Sequence, residues 1–246
     1  MNKNYNKQNT NQIPKVVIEF NEDWEVNNWY NTVKKNPKYG LAGGKTKWAL
    51  GDIPEDVPDI ISNAVDEKSA KTTLRNKLKE ELKKPEKMNL INETINKGER
   101  RWQSVAKDYF PLLSGMLGVP IDNFEKKYFA YFTFSTRCPF FGNTFMFNKY
   151  LDFADNAMHE IMHIEFLKKY ETYCEERGLN NNQIDHLKEI LIVLLNDSMK
   201  KLLTRPDRGY TKHQELRAVV LEIRKGSKSF PDFLDKMIAL VKKEFE

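Results

Sequence analysis

The sequence predicts an α+β protein that is mostly helical and carries one small sheet. Three observations support this. Apolar residues recur at helical spacing through most of residues 23–118 and 151–244. Residues 127–150 are aromatic and β-prone instead, and Gly142-Asn143 splits them into two runs. A short β-prone run, VVIEF, covers residues 16–20. At 246 residues the chain suits one sizeable domain, or one core with a smaller appendage.

Taken in order, residues 1–13 are too polar to bury anything and read as a flexible tail. Residues 14–120 read as a mainly helical N-terminal region. Within it, Trp24, Val26, Trp29, Tyr30 and Val33 share a helix face over residues 23–35, with Asp23 as a possible cap. The Pro- and Gly-rich stretch NPKYGLAGGKTK is a loop. It contains GGKT, but a phosphate-binding loop needs a glycine five residues before Gly44, and Tyr39 stands there. Residues 59–83 and 86–118 read as two helices, with Pro111 a kink or break in the second.

Residues 121–246 change in texture. KYFAYFTFSTRCPF and NTFMFNKY, joined at Gly142-Asn143, read as a β-hairpin. Helices follow at residues 151–170, 183–203, 211–224 and 230–244, with a loop at 206–210.

Composition narrows the function classes. The longest aliphatic run, at 190–195, is far short of a membrane span, and the N-terminus lacks the apolar stretch of a secretory signal. Two cysteines, Cys138 and Cys174, cannot build a disulfide framework, so a cytoplasmic location is expected. The net charge is +5, from 40 basic and 35 acidic residues that mostly interleave. Nucleic-acid binding needs a concentrated basic surface, and no such run exists.

The chemistry sits in the helix at 151–170. His159-Glu160-Ile161-Met162-His163 is an H-E-x-x-H pattern. Residues four apart lie one turn apart on one face, so both imidazoles can reach a single ion. Glu160 is rotated about 100° from His159 and stands beside that ion rather than on it. There it can act as general base on a water that the metal holds. Chance placement of this chain's residues gives such a match at about half a percent.

A hairpin leading into an H-E-x-x-H helix resembles the zincin metallopeptidases, over about residues 127–203. The resemblance implies a zincin-like region at 121–246, a Zn2+ cofactor, hydrolysis of a peptide or protein substrate, and a substrate-binding strand edge near residues 143–148. Phe166 and Lys169 stand where the metzincin branch has glycine and histidine, so that branch is excluded. The gluzincin branch takes a glutamate from a following helix, and Glu189 is the best match. It lies 26 residues past His163, where thermolysin-like spacing would reach only Gln183. It also leads into an apolar stretch, where a carboxylate needs a cation partner. His186, Asp185 and Asp197 compete on donor chemistry. Tyr210 and His213 are candidates for stabilising the oxyanion. Glu165, rotated about 200° from His163, reads as a surface charge. Two other functions stay open: a catalytically silent zincin-like metal-binding or protein-interaction module, and a nucleic-acid-binding protein. Oligomeric state is not readable.

Overall fold

The computed structural model describes residues 13–34 and 50–245. Almost all of the expected tail, the end of the first helix at Lys35 and the GGKT loop lie outside these residues. The protein is α+β and mostly helical, with a four-stranded mixed sheet in the order β1-β2-β4-β3.

Strand β1 (Lys15–Phe20) leads into helix α1 (Glu22–Lys34). The run expected at 59–83 is two helices, α2 (Val57–Asn63) and α3 (Glu67–Leu82). They part because Asp66 caps α3: its carboxylate accepts from Ser69 N at 2.7 Å. The run expected at 86–118 also divides, into α4 (Pro85–Gln103) and α5 (Ala106–Leu117). The break falls at Ser104-Val105 rather than at Pro111, which sits on the exposed side of α5. It turns the chain so that Trp102 packs edge-on against Tyr109 and Phe110, both fully buried.

Strand β1 runs parallel to β2 (Lys127–Phe132), pairing Lys15 with Lys127 through Phe20 with Phe132. Parallel neighbours need a long crossover, which α1 to α5 supply. Residues 14–120 therefore share a sheet and a core with the rest of the chain.

The expected hairpin needs correcting. Only β3 (Phe140–Phe141) and β4 (Thr144–Phe147) pair antiparallel across Gly142-Asn143, and β2 runs parallel to β4. Residues 133–138 are not strand because buried polar groups hold them in a turn-back. Asn28 Nδ2 donates to Thr133 Oγ1 at 3.0 Å and to the Arg137 carbonyl at 2.8 Å. Thr32 and Ser135 hydroxyls meet at 2.8 Å, and Asn148 Nδ2 donates to the Ser135 carbonyl at 3.1 Å.

Glu25 belongs to this network and makes a prediction. Its Oε1 accepts from Phe134 N at 2.9 Å and from Trp29 Nε1, while Oε2 has no partner among the described residues. Complete burial pushes its carboxyl from 4.5 up to about 7, against the hydrogen bonds that lower it. The folded state then holds the proton more tightly than the unfolded one. Stability therefore falls as pH rises from about 4.5 to about 7, by about 3 kcal/mol. Glu25→Gln keeps an acceptor and removes the charge. Urea midpoints at pH 5 and pH 8 should show the variant gaining on wild type only at pH 8; an equal difference at both would refute the assignment.

The long helix α6 (Phe153–Glu176) runs six residues past its expected end. Asp152 caps it, accepting from Ala154 N and Asp155 N at 3.1 and 3.2 Å. Its first four turns are buried almost all round, the pattern of a central helix. Phe153 meets Phe147 of β4 edge-on at 4.7 Å. Helix α4 crosses close by at Gly98, where a Cβ would come within 3.0 Å of the Phe153 ring.

The run expected at 183–203 is α7 (Asn181–Leu191) and the short α8 (Val193–Ser198), broken at Ile192. Helices α9 (Gln214–Lys225) and α10 (Phe230–Glu244) close the chain. No helix among the described residues is long and apolar enough to cross a membrane.

Candidate metal centre

His159 and His163 lie one turn apart on α6, their rings edge to face at 4.5 Å between centroids. Helix α7 packs against α6 and brings Glu189, in its last turn, to both rings. Glu189 Oε1 is 3.3 Å from His163 Nε2, and Oε2 is 3.7 Å from His159 Nε2. Ligand atoms of the three residues all lie within 4.8 Å of one another. Donors on a tetrahedral ion about 2.1 Å away stand about 3.4 Å apart, so the spacing suits one divalent cation.

An unmet need at His163 supports the fit. Its ring is 1% exposed and stacks on Phe140 at 5.7 Å. Neither ring nitrogen has a hydrogen-bond partner among the described residues. Buried polar atoms rarely stay unpaired, and a cation between Nε2 and Glu189 would satisfy this one. Burial and the neighbouring His159 hold the His163 imidazole down, at about 3, so it is the neutral ring a metal requires.

His159 is oriented by a residue that the sequence reading missed. Asp207 Oδ2 lies 3.2 Å from His159 Nδ1. A carboxylate only accepts, so Nδ1 carries the proton and Nε2 is turned toward Glu189. Asp207 is itself anchored: Arg217 Nη2 donates to its Oδ1 and its carbonyl, each at 2.9 Å, and Asn196 brackets its backbone at 2.7 and 2.8 Å. The Arg217 side chain also donates from Nη1 to the Glu189 carbonyl at 3.1 Å. One buried guanidinium thus ties the loop and α7 to α9. Gly209 permits this, with φ +60° and a missing Cβ that would otherwise meet the guanidinium at 2.6 Å.

The electrostatics follow from these contacts. Burial alone would raise the Glu189 carboxyl, but His163, Lys188 and His159 outweigh it and hold it well below the usual range. Lys188 Nζ donates to Glu189 Oε1 at 3.0 Å. Burial lowers His159, yet the Asp207 hydrogen bond and the charges of Glu160, Asp207 and Glu189 leave it raised. Glu160 is pushed up to about 7 by burial, with Glu189 adding to the rise.

His159 and Glu189 open on a cleft of about 530 Å³, with His163 buried behind them. His159, Glu160 and Glu189 line it, as do Cys138 and residues 205–210 of the loop after α8. No hydrogen bond holds the Glu160 carboxylate among the described residues.

The other sequence candidates fall elsewhere. Tyr210 lines the cleft and is 58% exposed. His213 does not reach it: its ring is buried, its Nε2 2.9 Å from His186 Nδ1, against Phe245. That pairing also takes His186 away from the metal cluster. Asp185 is exposed and pairs with Lys188 at 3.3 Å, and Asp197 is exposed. Gln183 caps α7 in a reciprocal pair with Asn180. Glu165 is not a surface charge. It is 1% exposed and accepts from Glu125 N at 2.9 Å and from the Tyr128 hydroxyl, because its side of α6 faces the sheet. The strand edge beside the cluster is β3, whose Phe140 covers His163; β4, at residues 144–147, lies inside the sheet between β2 and β3.

No signal in the sequence marks Asp207 or Arg217, since both sit in ordinary polar stretches 18 and 28 residues beyond Glu189. No family model, no curated protein and no solved structure matches the chain.

Proposed function

We propose that this protein is a zinc-dependent peptidase with a gluzincin-like ligand set of His159, His163 and Glu189. The observation that carries the reading is the meeting of those three side chains beside an open cleft that His159, Glu160 and Glu189 line. Two imidazoles and a carboxylate suit zinc, and three protein ligands leave the open position that catalytic sites keep. Bound there, zinc would polarise a scissile carbonyl and make a water molecule more acidic.

The chain's own residues do the rest. Glu160 takes the proton from the attacking water and passes it to the leaving amine. Asp207 keeps His159 in the tautomer that leaves Nε2 free. The outer edge of β3 offers backbone groups that can pair with an extended peptide beside His163. Tyr210, which lines the cleft, would donate toward the developing oxyanion.

The test combines metal content with turnover. Native mass spectrometry should find one zinc per wild-type chain, almost none in His163→Ala and a reduced fraction in Glu189→Ala. The zinc-loaded wild type should cleave unstructured peptides. A chain that takes up no zinc, or a zinc-loaded chain inert against a broad peptide library, would overturn the proposal.

A further inference from the structure

The loop that walls the cleft carries two arginines with no stated task. Arg205 and Arg208 both line the cleft and both are exposed. Neither guanidinium makes a hydrogen bond or ion pair among the described residues. Their backbone is nevertheless fixed. Asp155 accepts from Thr204 N and Arg205 N at 2.8 and 3.2 Å, and Gln214 Nε2 donates to the Arg208 carbonyl at 2.7 Å. Asp207, between them, is locked by Arg217 and Asn196.

The acids of the same cleft are already engaged. Asp152 caps α6 and lies 3.5 Å from Arg101. Asp155 holds the loop backbone, Asp207 faces Arg217 and His159, and Glu189 faces Lys188 and the two histidines. Glu160 is the exception, and its place is beside the reacting atoms. Arg205 and Arg208 are therefore the cleft's cations without a partner among the described residues, and they come from a loop whose backbone is held.

We propose that Arg205 and Arg208 form a subsite for an acidic side chain, so that the preferred substrate is a peptide with Asp or Glu close to the scissile bond. The assignment rests on the peptidase reading above and adds the substrate class to it. A carboxylate entering between two guanidiniums gains two charge-assisted contacts, whereas a lysine there meets like charge. Because both arginines are exposed, the preference is moderate and weakens as salt rises.

Matched fluorogenic peptides differing only in Glu, Gln or Lys near the cleavage site test this. Wild type should cleave the Glu peptides about three- to tenfold better in kcat/KM than the Gln peptides, and the Lys peptides worst. The ratio should shrink between low and high salt. The double variant R205E/R208E should reverse the order, so that the Lys peptides are cleaved better than the Glu peptides. Binding of the same peptides to zinc-loaded Glu160→Gln, followed by fluorescence anisotropy, should show the same ranking without turnover. Cleavage with no charge preference, or a preference that survives the double reversal, overturns the subsite and leaves the peptidase reading standing. Zinc-loaded wild type that neither binds nor cleaves any of the peptides overturns both.

Discussion

Glu160→Gln should keep its zinc and lose about 10²- to 10⁴-fold in kcat on any peptide that the wild type cleaves. Glu160 lies in the cleft on the same helix as both histidines, but its carboxylate is outside the three-residue cluster. The substitution keeps the size and the helix packing of a residue that is 8% exposed. It removes only the ability to accept and return a proton. The ligands are untouched, so zinc content measured on the same sample should equal that of wild type. A variant with full turnover would take Glu160 out of the mechanism. A variant that loses the metal would make Glu160 part of the ion's hold.

The second large effect is an inversion of stability at His163. This buried imidazole has no hydrogen-bond partner on either nitrogen among the described residues. Leaving a buried polar atom unsatisfied costs about 1–3 kcal/mol. His163→Leu has comparable bulk, can pack against Phe140, and carries no polar atom. Without metal it should be more stable than wild type by about 1–2 kcal/mol, part of the gain being offset by the lost Glu189 contact. With zinc at a thousandfold above its Kd, wild type gains about 4 kcal/mol that the variant cannot. Urea midpoints with and without a chelator should therefore rank the two proteins in opposite orders. A variant less stable than wild type under both conditions would mean that the unpaired ring is not the cost described here.

The features legible in the sequence were those set within one helical turn or one short run. The His159–His163 pair is one: i,i+4 spacing puts both rings on one face whatever surrounds the helix. Glu189 was reachable by a looser argument, that a carboxylate entering an apolar stretch needs a cation nearby. Lys188 is one cation beside it, and the two histidines lie within 3.7 Å. Helix boundaries were less legible. The breaks at Asp66, Val105 and Ile192 come from a cap or from packing that periodicity does not record.

Where sequence reasoning went wrong, the partner was distant. Residues 133–138 look like strand by composition, yet Asn28 and Thr32, more than a hundred residues earlier, bend them away. His213 looked like a second donor for the site, but His186 and Phe245 enclose it.

By itself, then, the amino-acid order determined the α+β class, the paired imidazoles and the adjacent acid, because these depend on covalent spacing and helix geometry. Folding in three dimensions decided the parallel sheet, the approach of Glu189, the Asp207–Arg217 anchor and the two unmatched arginines at the cleft. Each of those depends on how separate segments pack against one another, and no local pattern carries that information.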